Sequence, residues 1–442
     1  MIDLPFAAQK GDNGVTQNSR ETLINMYAEP ESSGRSRLLR RQRPGLTLSQ
    51  ALTDSKRGIA RFEHGHYLVA RDKFFKWDGT TLTQIGTLNT AIGRVTMITD
   101  DNDNVLVSDG TDGYHWNGSA LTTVTAPSSI GTLDTLDGRG LYHKPNTDRW
   151  YFSALNDLTS WDALDFYTAE SSPDPLLRVF VDRGEIWLFG SKTIEVWRNV
   201  GGTDSPYAFS TALERGCVAS HSVASDDNTL FWLGDDGIIY RADGYRPARV
   251  STHPIEELIE DATNKSDAYA FIYTVRGHKF YTLTFPDYAT IQFNIATGLW
   301  NIARTWNQND WNLIGGAGRA VDYYLGDDGI VTLDTSKNTD NGTIMERGGI
   351  SAPVYNGGQR MRLMDFWLDA EMGRGADGEV MLQVSRNGEE YGNVRTRKLG
   401  ALGDYRKRAV WRKLGMAREF TLKLTMTDDV PFNIMATSGT VA

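Results

Sequence analysis

Short apolar stretches alternate with turns rich in Gly and Asp from about Arg57 onward. One unit recurs in this region: a short apolar strand, a Gly/Asp turn, a second strand and often a Trp or Tyr. Seven such units begin at Tyr67, Val105, Arg149, Ile186, Leu230, Phe280 and Tyr323. Their starts lie about 35–50 residues apart, which is the spacing expected for propeller blades. The pattern therefore predicts an all-β, six- or seven-bladed β-propeller.

A repeated hexapeptide supports this interpretation. The sequence of Leu233–Ile238 recurs without change at Leu325–Ile330, 92 residues later, which corresponds to two blades. Its Asp-Gly pair supplies the positive φ that a tight hairpin turn needs. One aromatic hairpin cannot bury its face alone, whereas blades stacked around an axis cover one another. The alternative is a single large β-sandwich with chance similarity between hairpins.

The pattern changes after about Ser351, where longer segments of alternating polarity appear. They are Met364–Met372, Gly378–Gly388 and Glu419–Thr427. Such segments predict a separate small antiparallel β-sandwich. One helix is predicted at Pro254–Asp261, because Pro is tolerated in a first helical turn and acidic residues follow it. We expect this helix to dock on a blade.

The first fifty residues show neither pattern, which indicates an extended amino-terminal arm. Five arginines cluster there within nine residues: Arg35, Arg37, Arg40, Arg41 and Arg43. Guanidinium groups pair with carboxylates and with phosphates. We expect a docking arm for an acidic protein partner, the alternative being a solubilising tail. The predicted domains are 1–50, an extended Arg-rich arm; 51–349, the propeller; and 350–442, the sandwich.

Charge is unevenly distributed along the chain. The whole sequence has 46 Lys and Arg against 56 Asp and Glu, a net charge of −10. From Gly349 onward there are 14 basic and 11 acidic residues, or +3, which leaves 32 basic and 45 acidic residues, or −13, before that point. The overall acidity opposes general binding to nucleic acid phosphates. The sandwich is therefore predicted to be the basic part of an acidic molecule.

The single cysteine, Cys217, cannot form a disulfide within the chain, which favours synthesis in a reducing cytoplasm. The amino end lacks the basic start and apolar run of a signal peptide. No stretch approaches 18 uninterrupted apolar residues, so no membrane span is predicted.

Candidate residues for metal binding or catalysis are few. His64 and His66 would point to one face of a strand, but the sequence offers no obvious third ligand nearby. The acidic run Asp100–Asn104 lacks the spaced Gly and terminal Glu of an EF-hand and is better explained as a solvated turn. The nucleophile elbow, the phosphate loop and H-E-x-x-H are absent from the sequence. We expect no catalytic residues, no metal site and no cofactor, although 56 acidic residues leave room for a glycosidase-like pair.

Separated motifs along the chain resemble a known family. The matching stretches, in order, are Asn25–Ala28, Arg43–Leu46, Ala169–Asp174, Phe189–Trp197, Pro254–Asp261, Val410–Gly415 and Phe420–Leu424. The third and fourth of these are the most specific. By these motifs the chain resembles the packaged-DNA stabilisation, or tail hub (nozzle), proteins of short-tailed phages.

The resemblance implies a non-catalytic structural protein of the virion tail, made in the host cytoplasm. It implies a homo-hexameric ring that binds the connector (adaptor) ring below the portal. Such a ring would retain packaged double-stranded DNA, let it exit without sequence-specific binding, and anchor a needle, spike or fibre. Six copies of −10 each would carry −60 in total, so we expect the connector to template assembly. The alternatives are a carbohydrate-binding or glycan-cleaving phage tail propeller and a cellular scaffold propeller.

Overall fold

The computed structural model describes residues 2–3, 6, 21–30, 38–100, 102, 104–202, 205–226, 228–388 and 390–442. These residues form 41 β-strands, one α-helix and one turn of 3₁₀ helix. Five strands lie before the first blade: β1 (Ile2–Asp3), β2 (Thr22–Ile24), β3 (Met26–Pro30), β4 (Leu38–Gln42) and β5 (Gly45–Ala51).

Five four-stranded antiparallel sheets follow, each with its strands in chain order. Blade 1 comprises β6 (Lys56–Phe62), β7 (Gly65–Ala70), β8 (Lys73–Trp77) and β9 (Leu82–Thr87). Blade 2 comprises β10 (Thr96–Thr99), β11 (Val105–Ser108), β12 (Gly113–Trp116) and β13 (Leu121–Thr123). Blade 3 comprises β14 (Leu133–Leu136), β15 (Arg139–His143), β16 (Arg149–Phe152) and β17 (Phe166–Thr168).

Blade 4 comprises β18 (Leu176–Asp182), β19 (Glu185–Gly190), β20 (Ile194–Asn199) and β21 (Tyr207–Leu213). Blade 5 comprises β22 (Ala224–Asp226), β23 (Thr229–Leu233), β24 (Ile239–Asp243) and β25 (Arg246–Arg249). Their middle strands are almost fully buried and rich in aromatic residues, among them Trp187 and Trp232. Each blade therefore buries both faces against its neighbours, as radial stacking requires.

The helix α1 (His253–Glu260) follows blade 5, and the 3₁₀ turn is Lys265–Asp267. Ile255 and Ile259 of α1 are buried in the same hydrophobic cluster as Leu233 of blade 5 and as Ile291 of the next blade along the chain. The helix docks on the blades, as the sequence predicts. In the described part of the chain, no helix is long and apolar enough to cross a bilayer.

Blade 6 comprises β26 (Tyr269–Val275), β27 (His278–Phe285), β28 (Ala289–Asn294) and β29 (Leu299–Ala303). Blade 7 is built from β30 (Tyr324–Gly326) and β31 (Gly329–Asp334), and β5 from the amino-terminal segment pairs antiparallel with β31. On the side of β30 nearer the propeller centre, Ile314 forms an isolated β-bridge with Leu325. Gly316 forms another with Ile59 of blade 1. The described chain thus forms seven blades, and its amino-terminal segment completes the last one.

The repeated hexapeptide occupies equivalent places in two blades. In blade 5 it forms the turn between β23 and β24, the second and third strands. In blade 7 it spans β30 and β31, which are also second and third when the segment around Ile314 is counted as the innermost. Gly237 takes a φ of 79° in the first turn, the conformation for which glycine is suited.

Two sheets form the carboxy-terminal sandwich. Before it, β32 (Thr339–Asp340) and β33 (Thr343–Ile344) extend the sheet of blade 7. The later strands, which belong to the sandwich, are β34 (Arg347–Ile350), β35 (Val354–Tyr355), β36 (Met361–Ala370), β37 (Glu379–Ser385), β38 (Arg395–Lys398), β39 (Ala409–Ala417), β40 (Glu419–Met426) and β41 (Ile434–Val441). One sheet runs β34-β40-β37-β38, with β35 paired to β40. The other runs β3-β4-β41-β36-β39, with β1 paired to β41.

The amino-terminal segment joins the propeller to the sandwich. Strand β2 pairs in parallel with β29 of blade 6 and antiparallel with β34, so one ten-stranded sheet extends from blade 6 into the sandwich. Phe6, Leu23 and Met26 are fully buried in the sandwich core. The all-β propeller and the carboxy-terminal sandwich predicted from the sequence are confirmed. The described part of the predicted arm, in contrast, is folded into both, because its strands find partners far along the chain.

Candidate functional site

The five arginines of the predicted docking arm have different surroundings. Arg35 and Arg37 lie outside the described residues. Arg40 and Arg41 lie on β4, and Arg43 follows that strand. Arg40 and Arg43 are each only 1% exposed. These two residues are therefore contacts within the chain rather than free docking groups, which corrects the sequence-based expectation for them.

Arg43 forms the centre of a buried polar cluster. Its Nη1 and Nη2 donate to the two carboxylate oxygens of Asp340 at 2.8 and 2.5 Å, and its Nε donates to Oδ1 of Asn25 at 2.8 Å. The guanidinium also lies 4.4 Å from the ring centre of Trp311. A bidentate pair with a further donor–acceptor contact fixes the side chain in one orientation. We call Asn25, Arg43 and Asp340 the arginine clasp.

Asn25 completes the clasp through its backbone and side chain. It has a φ of 53°, a left-handed conformation that Asn tolerates better than most residues. Its Nδ2 donates to the carbonyl oxygens of Arg304 and Glu346 at 2.9 and 2.7 Å. Its Oδ1 also accepts from the backbone N–H of Arg304 at 2.9 Å. The clasp therefore holds the β2–β3 junction against the ends of blades 6 and 7.

Arg40 and Arg41 form interactions that differ in their exposure to solvent. Nε of Arg40 donates to the carbonyl oxygen of Phe6 at 2.5 Å. Arg41 forms an ion pair with Glu29 of the neighbouring strand at 2.5 Å, and about a third of each side chain is exposed. The hydrogen bond from Arg41 lowers the pKa of Glu29 despite partial burial. The ion pair between Arg41 and Glu29 is partly solvated, so breaking it should reduce stability less than breaking the clasp.

Arg347 belongs to the same junction, although no sequence pattern singled it out. It is completely buried and donates to Oε1 of Gln42 at 2.7 Å and to the carbonyl oxygen of Val430 at 2.6 Å. Burial lowers its pKa to about 10, so the side chain remains a cation at neutral pH. These two acceptors lie more than eighty residues away in sequence, and only the folded chain brings them to Arg347.

The sandwich presents an exposed basic edge. All four residues of β38 are exposed, and β38 ends one sheet next to β39, which ends the other. Nη1 of Arg395 donates to the carbonyl oxygens of Arg412 and Lys413 at 3.3 Å, and Nε of Arg397 donates to that of Val410 at 2.8 Å. Basic side chains on an edge strand discourage uncontrolled strand pairing. They also provide a surface for an acidic partner.

A groove of about 410 Å³ opens elsewhere on the sandwich. Three exposed arginines, Arg360, Arg386 and Arg418, line it together with Met416 and Ala417. Nη2 of Arg386 donates to the carbonyl oxygen of Leu414 at 3.2 Å, which fixes one wall. Half of the Met416 side chain is exposed. We call this feature the basic groove.

The propeller carries the opposite charge. Its helix α1 exposes Glu257 and Glu260, with Asp261 at its carboxy-terminal cap, and has no basic residue in its last turn. Acidic groups at that end of a helix are unfavourable next to the negative end of the helix dipole. A cationic partner surface would relieve this repulsion.

The histidine pair does not have the surroundings of a metal site. His66 is buried, packs edge-on against Tyr323 with ring centres 4.9 Å apart, and has its pKa lowered by burial. Nε2 of His66 lies 3.9 Å from a carboxylate oxygen of Asp322. His64 is exposed. Among the described residues, no three His, Cys, Asp or Glu side chains are grouped so that they could hold a metal ion.

The acidic run Asp100–Asn104 has the hydrogen bonds of a turn. Oδ1 of Asp100 accepts from the backbone N–H groups of Asn102 and Asn104 at 2.9 and 3.0 Å. Asp101 and Asp103 lie outside the described residues.

Two carboxyl groups, one in the loop after β29 and one in the turn between β30 and β31, have raised pKa values, which can accompany catalysis. Burial raises the pKa of both Asp310 and Asp327. Oδ2 of Asp310 accepts from the backbone N–H of Asp287 at 3.1 Å, and Asp327 accepts from Asn312 and Gln308. Both groups are thus engaged in connecting loops of the fold. The thiol of Cys217 is also buried, which raises its pKa to about 11 and makes it a poor nucleophile.

Two family models match the chain in sequence. One, described as bacteriophage P22 Gp10, beta-propeller, matches residues 3–343, and the other, described as bacteriophage P22 Gp10, beta-sandwich, matches residues 349–441. The tail hub protein gp10 of Salmonella phage P22 is 21% identical over 439 residues, covering 89% of each chain.

Comparison with solved structures gives lower similarity than the comparison of sequences with the P22 protein. Hsv2p of Kluyveromyces lactis is 14% identical, with 65% of this chain and 99% of that chain covered and a TM-score of 0.37. PorZ of the type-IX secretion system of Porphyromonas gingivalis is 9% identical, with 79% and 46% covered and a TM-score of 0.37. An exo-beta-1,3-galactanase of Phanerochaete chrysosporium is 10% identical, with 90% and 100% covered and a TM-score of 0.31.

Proposed function

The chain belongs to the bacteriophage P22 Gp10 family, and from this membership we propose that it is the structural hub of a short phage tail. The observation that carries the proposal is the match of both domains, in the same order, to the family of a tail hub protein. The hub is proposed to act without catalysis, as part of the virion, after synthesis in the reducing host cytoplasm.

In this proposal six copies form a ring below the connector that joins head to tail. The opposite charges of the two domains support side-by-side contacts, with the basic edge or groove of one copy facing the acidic propeller of the next. Electrostatic complementarity of this kind aligns subunits and speeds their association. Because six acidic copies repel one another overall, the connector is proposed to template the ring.

The ring is also proposed to retain packaged DNA and then let it leave. A double helix carries about one negative charge per 1.7 Å of its axis, so an acidic bore would let it slide while a basic bore would hold it. The residues before Gly349 carry a net charge of −13, which suits an acidic bore through which DNA can slide. On the side away from the connector, the ring is proposed to anchor a needle, spike or fibre.

Particles assembled without this protein test the retention role. We expect heads that package DNA and then release it, so the fraction of filled heads should fall and wild-type protein added in trans should restore it. The triple variant Arg360→Glu, Arg386→Glu, Arg418→Glu should fail to restore filled heads if the basic groove forms ring contacts. The matched control Arg198→Glu changes an exposed propeller arginine and should restore them. Particles that keep their DNA and infect without the protein would contradict the role.

A further inference from the structure

A cavity of about 130 Å³ lies at the centre of the propeller. Residues from the innermost strands β6, β10, β14 and β18 line it, together with the segment Gly316–Val321 of blade 7. Contacts between β10 and β14, β14 and β18, and β10 and β6 place these strands side by side around it. Its walls are partly apolar and include the side chains of Arg178, Arg319 and Asp134.

Arg178 joins three blades from this position. It lies on β18 of blade 4, and only 2% of it is exposed. Nη1 donates to the carbonyl oxygen of Ser220 and to Nδ1 of His221, both before blade 5, at 3.2 and 3.3 Å. Nη2 donates to the carbonyl oxygen of Ala317 in blade 7 at 2.8 Å. Since a guanidinium can only donate, Nδ1 of His221 is the acceptor and that imidazole is neutral.

The acceptors of Arg178 are all uncharged. The nearby carboxylate of Asp134 already accepts from Nη2 of Arg319 at 2.9 Å and from the backbone N–H of Val181 at 2.7 Å. Burial lowers the pKa of Arg178 to about 10, so it is still a cation at neutral pH. The charge of Asp134 favours the cationic form of Arg178, but Arg319 offsets part of that attraction. A buried charge that is only partly balanced costs roughly several kcal/mol.

A second cation lies close by. Arg94 immediately precedes the cavity residues Val95 and Thr96, and its guanidinium stacks 3.4 Å from the ring centre of Tyr269. Burial is the main cause of the lowered pKa of His221, and the charges of Arg178 and Arg94 lower it further. Nε of Arg178 and Nη1 of Arg94 are shielded from solvent and have no hydrogen-bond partner within the described part of the chain. One donor of a positively charged group, Nε of Arg178, is therefore available at the cavity, and the charge of Arg94 adds to the positive potential around His221.

We propose that this cavity is a binding site for a small monovalent anion of the size of chloride, held next to Arg178. Arg178 and Arg319 share the single carboxylate of Asp134 in the cavity wall, so the anion supplies a second counter-charge and secures the inner strands of blades 4, 5 and 7. A weakly hydrated anion suits a site whose walls include Ile59, Val95 and Leu133. The site is independent of the tail hub role and would exist in the free subunit.

Crystals of the full chain soaked in sodium bromide test the site directly. We expect an anomalous bromide peak inside the cavity, within about 3.5 Å of the guanidinium of Arg178. Peaks confined to exposed arginines, such as those of the basic groove, would mean an adventitious ion only and would overturn the proposal.

Urea unfolding in chloride and in gluconate, at one ionic strength, tests the same site in solution. Binding to the folded state lowers the unfolding constant by the factor 1 + [Cl⁻]/Kd, about 11-fold at ten times Kd. The dependence should saturate, should vanish in Arg178→Gln, and should persist in the matched surface variant Arg198→Gln. A wild-type protein with no saturable chloride dependence would overturn the proposal. If Arg178→Gln does not fold, the bromide experiment on the wild type still decides.

Discussion

Arg43 and Asp340 are 297 residues apart in sequence, yet each side chain is less than a tenth exposed and the two form a bidentate pair. The pair lies where the amino-terminal segment passes from the sandwich to the propeller. Burial of such a pair is costly in itself, so its net contribution to stability is small compared with the cost of breaking it. At the scale of single residues, the clasp therefore fixes the relation of segments that are distant in sequence.

Removing one partner of the clasp should be strongly destabilising. In Arg43→Met the carboxylate of Asp340 stays buried without its cation, and we expect the free energy of unfolding to fall by about 3–5 kcal/mol. Urea unfolding followed by tryptophan fluorescence measures this loss. Arg41→Met, which breaks the partly solvated pair with Glu29, should cost about 1 kcal/mol or less. Equal losses in the two variants would contradict the importance of the clasp.

Two buried histidines should make stability depend on pH. Burial lowers the pKa of His143 to about 3, and burial followed by repulsion from Arg178 holds the pKa of His221 well below its usual value. In the unfolded chain both groups have a pKa of about 6.5, so below that pH the unfolded state binds protons that the folded state does not. Stability should therefore be fully present above pH of about 6.5 and be lost as the pH falls toward 3.

The variant His143→Asn tests this dependence. The amide oxygen of Asn can still accept from the backbone N–H of Thr132, which Nδ1 of His143 does at 3.2 Å. The slope of unfolding free energy between pH 6 and 4 should become shallower by up to about 1.4 kcal/mol per pH unit. The exposed control variant His253→Gln should keep the wild-type slope. An unchanged slope in His143→Asn would show that this imidazole titrates normally in the fold.

At the scale of elements, β5 has a role that its local sequence does not reveal. It pairs with β31 from Gly329↔Ala51 to Asp334↔Gly45 and so closes the ring of blades with a strand from the other end of the chain. The blades themselves could be predicted, because hydrophobic alternation and Asp-Gly turns are local features. The pairings of β2 with β29, β4 with β41 and β5 with β31 could not, because these partners lie hundreds of residues away and no periodicity connects them.

Gly329 tests the closure. It has a φ of 144°, and a Cβ at this position would overlap the carbonyl oxygen of Gln50 on β5. We expect Gly329→Ala to lower the free energy of unfolding by about 2–3 kcal/mol and to expose β5 to proteases. In Gly342→Ala the φ of 82° is also unfavourable for Ala, but the added Cβ meets no atom within 4 Å. That control should cost about 1 kcal/mol. Equal costs would mean that the β5–β31 contact is dispensable.

The charge of the candidate site could be predicted from the sequence, but the burial of its individual arginines could not. The count of charged residues indicated that the sandwich is basic, and the structure places Arg395, Arg397 and the arginines of the basic groove on its surface. Charge counts cannot show which arginines are buried. Arg43 and Arg347 are enclosed because strands from both domains meet over them, which is a property of the tertiary fold alone.

At the scale of the whole molecule, the two domains share structure. A ten-stranded sheet extends from blade 6 through β2 into the sandwich, whose core includes Phe6, Leu23 and Met26 of the amino-terminal segment. An isolated sandwich would lack these core residues and would expose the edges of β34 and β41. The hub is therefore built as one continuous body at this junction.

Fragments test this continuity. Residues 345–442 alone, which include all of β34, should not fold. The same fragment joined by a flexible linker to residues 1–44 should fold, because that addition restores β1 to β4 and the missing core residues. Circular dichroism and a cooperative urea transition distinguish the two outcomes. A sandwich that folds without the amino-terminal segment would show that the shared core is not required.

Co-sedimentation with portal–connector complexes is the decisive test of the proposal that this chain forms the ring of a phage tail hub. Purified protein is added in increasing amounts, and the copies bound per connector ring are counted. We expect binding that saturates near six copies, with little ring formation by the protein alone. Protein that stays in the supernatant as a monomer at all concentrations would contradict the account and direct attention to a glycan hydrolysis assay.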